Sequence, residues 1–174
     1  MFVRLATLVA ALLTSHCQAA EPAARATQRF VVRVPPKATV VAPQDVQLMH
    51  DGTDAPQRFP AQRWRVAGTY ASGLTIDFST DDAFRNQRIV DAQRDVSLGL
   101  TVGDSEGSGT WTVAVAQDNS HCATGDTTTL VRVESDGPGQ ADLLLDVLFL
   151  TGDRSALPAG DYALTVTATV SANP

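Results

Sequence analysis

The sequence predicts an all-β protein, an immunoglobulin-like or pilin-like sandwich of two antiparallel sheets. Three observations carry this expectation. Short segments of alternating apolar and polar residues recur along the chain, β-branched residues fill them, and clusters of Gly, Pro, Asp and Asn separate them. A period of two sends successive side chains to opposite faces, so that one face of a sheet is buried and the other is wet.

Taken in order, residues 1–20 read as a signal peptide. Arg4 supplies a positive start, Leu5 to Leu13 is apolar, and Cys17, Ala19 and Ala20 offer small side chains for cleavage after Ala19 or Ala20. The apolar stretch is too short to span a bilayer. Lipidation at Cys17 is disfavoured by the bulky His16 before it. Residues 21–27 form a flexible lead-in, and residues 28–174 are expected to make one sandwich domain. The apolar run Leu143 to Leu150 is interrupted by Asp146 and is too short for a membrane span. The expected location is therefore secreted, periplasmic or on the cell surface.

Within the domain, Phe30, Val32 and Val34 define a first strand, ended by Pro35-Pro36 because proline lacks a ladder donor. Trp64, Val66 and Tyr70 share a face opposite Arg63 and Arg65. Leu74, Ile76 and Phe78 alternate with Thr75, Asp77 and Ser79. Val96, Leu98, Leu100 and Val102 form a further face, and Trp111, Val113 and Val115 another. Turns are expected at Ala71-Ser72-Gly73, Gly103 to Gly109, Asp136 to Gly139 and Pro158 to Asp161. Thr80 to Asn86 reads as one helical turn capped by Thr80. Gln140 to Leu150 reads as a central strand with Ala141, Leu143, Leu145, Val147 and Phe149 inward. The final strand is the clearest: Tyr162, Leu164, Val166, Ala168 and Val170 oppose Ala163, Thr165, Thr167, Thr169 and Ser171.

Composition narrows the function. The chain has 13 Lys plus Arg against 19 Asp plus Glu, a net charge of −6, and removing the signal peptide removes Arg4. An acidic domain does not suit nucleic acid, whose phosphates need a basic patch. The densest basic stretch, Arg58, Arg63 and Arg65, reads as a solvated strand face. Cys122 is the only cysteine left after cleavage, so no internal disulfide is expected and the fold must rest on its core.

Several motifs invite chemistry. Gly103-Asp104-Ser105-Glu106-Gly107 matches the G-x-S-x-G nucleophile pattern, which needs a strand-to-helix elbow and a histidine base. Strands are expected on both sides of it, so a polar hairpin loop accounts for it better. His121-Cys122, with His50, suggests copper or zinc but lacks a third and fourth ligand at suitable spacing. Asp51 with Asp54, Asp77 with Asp81-Asp82, and Asp104 with Glu106 offer oxygens for calcium, although none forms a regular calcium loop. Trp64 and Trp111 would make a sugar platform if exposed; their phase with Val66 and Val113 places them in the core. No catalytic residue, metal ligand or cofactor is assigned.

Leu157-Pro158-Ala159-Gly160-Asp161-Tyr162, followed by Thr165 to Val170, resembles the closing strand of bacterial secreted pilin-like and spore-coat-U-like sandwich proteins. That resemblance implies a sandwich fold and a surface role. The chain departs from pilins in lacking a cysteine pair and a near-terminal tyrosine. The expected function is an exported, non-enzymatic structural or adhesive surface protein. Its partners would be itself or other surface proteins, met through edge strands, with residues 28–34 pairing in their own domain or in a neighbour. The alternative is a secreted carbohydrate- or metal-ion-binding sandwich module.

Overall fold

The computed structural model describes residues 26–174. The expected signal peptide, Cys17 included, and most of the lead-in lie outside the described residues. Residues 26–33, which belong to a unit separate from Val34–Pro174, contain neither strand nor helix. In the second unit every strand pairing is antiparallel. Its only helical elements are short 3-10 turns at Cys122–Thr124 and Arg154–Ala156.

Among the described residues, thirteen strands form three sheets. The largest contains β1 (Ala38–Val41), β3 (Gln62–Gly68), β11 (Gly139–Phe149), β7 (Val96–Gly107) and β9 (Gln117–Asn119) in that spatial order. A short β2 (Gln57–Arg58) also pairs with β11. The second sheet runs β13 (Val166–Ala172), β4 (Leu74–Thr80), β10 (Thr129–Ser135) and β8 (Trp111–Val115). A small third sheet joins β12 (Tyr162–Ala163), β5 (Phe84–Asn86) and β6 (Gln93–Arg94).

The two larger sheets share one core. Val66, Leu98, Leu143 and Leu145 enter it from the first sheet; Ile76, Phe78, Val131 and Val133 enter it from the second. The Trp64 ring meets Phe78 edge-on at 5.2 Å, tying the sheets together across the seam. At one end Phe84, Phe149 and Tyr162 form a chain of edge-on rings, with centroids 5.1 and 5.4 Å apart. The Tyr162 hydroxyl donates to the Pro158 carbonyl at 3.1 Å, which holds the approach to β12 in place. The tight turn before β4 requires Gly73. Its φ is +82°, and a Cβ there would fall 1.9 Å from the Ser135 carbonyl oxygen.

The expected alternation is seen in β4, β10 and β11, where every inward residue is buried. Gln140 to Leu150 is indeed central, as Gly139–Phe149, paired with β3 and β7. Five expectations are corrected. The final strand, expected to run from Tyr162 to Ser171, is broken at Leu164 and Thr165, so that Tyr162–Ala163 pairs in the third sheet and Val166–Ala172 in the second. The first described strand is Ala38–Val41, not Phe30 to Val34, because the earlier segment has apolar alternation but no partner ladder among the described residues. Thr80 caps no helix: its hydroxyl is buried and bonded to Thr129 at 2.9 Å, while Phe84–Asn86 is extended. Gly103 to Gly107 is no hairpin loop but the end of β7, paired with β11 as far as Gly107 opposite Gly139. Gly107 has φ +114°, and a Cβ would lie 2.6 Å from the Gly139 Cα, so that close approach of two backbones explains the glycine. Finally, there are three sheets where two were expected, the third being made of strands two or three residues long.

Candidate functional site

The most enzyme-like constellation is a threonine–histidine pair at the end of β11. His50 Nε2 lies 3.0 Å from the hydroxyl of fully buried Thr151. That hydroxyl donates its one proton to the Ala55 carbonyl at 2.8 Å, so it must accept from the ring. On the other side, Gly52 N–H donates to His50 Nδ1 at 2.9 Å. The ring therefore carries its proton on Nε2 and has no lone pair facing Thr151. A general base needs the opposite arrangement, with Nε2 accepting from the nucleophile. The pair is a clamp on loop 50–57. Asp51 completes the loop by accepting from Thr53 and from the Gln57 side chain. The Thr53 backbone N–H and hydroxyl hold the Asp51 carboxyl below its ordinary range.

The other sequence candidates are dispersed. Ser105 stands opposite Ala141 in the β7–β11 ladder, beside a bulge and away from any strand-to-helix elbow. His121 pairs with Asp126 in an isolated bridge, a loop arrangement. Cys122 is half-buried, and burial followed by the neighbouring Asp95 carboxylate pushes its thiol up to about 11. Burial raises Asp95, but the Cys122 backbone N–H, the Cys122 thiol, the Ser120 hydroxyl and His121 more than offset it, so its carboxyl is held low. Asp95 had no signal in the sequence. It ties the start of β7 to the 120–122 turn, accepting from Ser120 at 3.0 Å and Cys122 N at 2.7 Å.

Among the described residues, most carboxylates of the acidic pairs are bonded to protein groups, Asp81 and Asp104 excepted. Arg132 grips Asp77 through two bonds of 2.6 and 2.9 Å, Asp82 pairs with Arg85, and Asp54 accepts from Arg154 N. Among the described residues no group of three His, Cys, Asp or Glu side chains is placed to hold a metal ion. The basic stretch is likewise paired. Arg63 and Arg65 share Asp142 at 3.1 and 3.2 Å, and Arg58 meets Asp146 at 2.7 Å. Asp104 and Glu106 line the same depression on the outer face of the first sheet. Two arginines among three carboxylates do not make an anion site. Trp64 and Trp111 pack against the core, and each leaves a buried indole N–H without a partner.

The least satisfied backbone lies at the sheet edges. β1 and β9 bound the first sheet; β13 and β8 bound the second. Natural edges are blunted by shortness, charge, proline or a bulge. β1 has four residues and lies between Pro36 and Pro43, β9 has three and includes Asp118, and the β8 ladder is broken by a bulge. β13 has none of these devices within its span, and a proline, Pro174, follows it on one side only. Its seven residues, Val166-Thr-Ala-Thr-Val-Ser-Ala172, contain no charge and no proline. Val166, Ala168 and Val170 are only half-buried on its inner side. Comparison of the chain with protein-family models, curated proteins and solved structures finds no match.

Proposed function

We propose that this protein is an exported, non-enzymatic structural or adhesive component of a bacterial surface or periplasm. In this reading it is a pilin-like sandwich that joins itself or other surface proteins through edge strands. The supporting observation is β13, a seven-residue strand paired on one side only among the described residues, with no charge, proline or bulge within its span to deter addition of another strand. Export rests on the signal-like residues 1–20. The His50–Thr151 geometry supports the non-enzymatic part, since His50 has the wrong tautomer to activate that hydroxyl.

Sedimentation of the mature chain across a wide concentration range, with and without calcium, tests the reading. Mass should rise with protein concentration and be indifferent to calcium. A monomer at every concentration that gains stability only with calcium would replace it with an ion-binding module.

A further inference from the structure

We propose that two copies of this chain join β13 to β13, antiparallel, about a two-fold axis passing at Thr169. The proposal rests on the edge-strand reading above and names the partner and the register. A two-fold interface brings one patch against itself, so the strand must be complementary to its own reverse. β13 meets that condition. About Thr169, Ala168 faces Val170, Thr167 faces Ser171 and Val166 faces Ala172. The outer face then carries a Thr–Ser, a Thr–Thr and a Ser–Thr pair, hydroxyl pairs that favour a sheet. The inner face brings together small and β-branched apolar residues, with Val166, Ala168 and Val170 already half-buried. No like charges meet at any position.

The other edges serve this purpose less well. β1 and β9 are too short for a comparable ladder, and the bulge in the β8 ladder twists that edge. β1 does approach β13 across the seam without pairing with it. With four residues against seven, it flanks part of that edge only. Pairing in this register would join the two second sheets into one continuous sheet and leave the first sheets free.

Cysteine cross-linking tests both partner and register, in a Cys122→Ser background that removes the native thiol. Residues facing each other across an antiparallel pair have Cα atoms about 4.5–5.5 Å apart, within disulfide range. Thr169→Cys should give one disulfide-linked dimer under mild oxidation, because position 169 faces itself. Thr167→Cys and Ser171→Cys should each stay monomeric, and the double variant Thr167→Cys/Ser171→Cys should cross-link. Thr169 is exposed, so Thr169→Lys should fold normally yet lower the concentration-dependent mass by setting two charges against each other. No cross-link at 169, or equal cross-linking of the 167 single variant, overturns the two-fold pairing. If mass still rises with concentration in that case, assembly stands and proceeds through another edge or through residues 28–34. If the protein is monomeric throughout, the assembly reading falls as well.

Discussion

β11 and β13 share a period of two in burial and have different fates. Both send alternate residues inward, yet β11 is paired on both sides and β13, among the described residues, on one. All inward residues of β11 are buried, whereas those of β13 are half-exposed. The outward faces differ too. β11 presents Asp142, held by Arg63 and Arg65, and Asp146, held by Arg58, together with Leu144 and Leu148, whereas β13 presents only Thr167, Thr169 and Ser171 and carries no charge of its own. Alternation thus specifies which face goes inward. It does not specify whether a strand is central or at an edge, and it is the edge that leaves backbone groups for a partner.

The largest expected effect separates the two strands by stability. Leu143→Ala removes a side chain that is fully buried in the centre of the core and should cost about 2–5 kcal/mol. Val170→Ala, at the half-buried edge, should cost no more than about 1.5 kcal/mol, because fewer neighbours and less buried area are lost. Denaturant midpoints at constant slope measure both. Equal losses would mean that β13 is as embedded as β11, and the contrast would collapse.

The same contrast explains what was legible in the sequence. β11 could be read because Gly139 and Gly152 bound a strand-length run whose inward set is wholly apolar. β4 and β10 are equally regular. Phe30, Val32 and Val34 show the same pattern but pair with no described strand, and a pattern of side chains does not reveal whether a hydrogen-bonding partner exists. Thr80 looked like a helix cap because capping threonines and buried strand threonines are the same residue; only Thr129 across the ladder decides between them. The third sheet was invisible, since two- and three-residue strands such as β6 and β12 carry no period. The bonds to Asp95 were equally hidden, because Ser120 and Cys122 lie 25 and 27 residues away in sequence. The paired arginines of β3 were read correctly as a strand face, but their partner Asp142 emerges only from the β3–β11 register.

A smaller effect distinguishes the regions by pH. Asp95, at the start of β7, is held ionised in the fold and so binds a proton less readily than in the unfolded chain. Its contribution to stability is present above its ordinary value of 3.8 and is lost as pH falls through the lower folded value. β13 contains no titratable side chain. Thermal midpoints should therefore fall at acid pH, with a shallower decline in Asp95→Asn from its own lower starting stability. Dimer mass should hold until unfolding begins. A dimer that dissociates near pH 5 while the fold remains intact would place a carboxylate at the interface and remove β13 from it.

The smallest effect requires amide hydrogen exchange, and it reads the edge directly. In an antiparallel edge strand, alternate N–H groups point to the inner neighbour and to open solvent. On β13 the first set is bonded to β4, leaving the other set without a ladder partner among the described residues. On β11 both sets are bonded, one to β3 and one to β7. In dilute protein, β11 should be uniformly protected, and β13 should alternate between slow and fast residues from Val166 to Ala172. Raising the concentration should slow only the fast set, because a second β13 supplies the missing acceptors while the bonds to β4 are unchanged. The selectivity distinguishes pairing from general stabilisation, which would slow both sets together. If the outward set is already slow in dilute solution, β1 or another part of the same chain covers the edge, and β13 is not the assembly surface. If both sets are fast, β13 frays from β4 and is too loosely held to present a fixed register to a second copy.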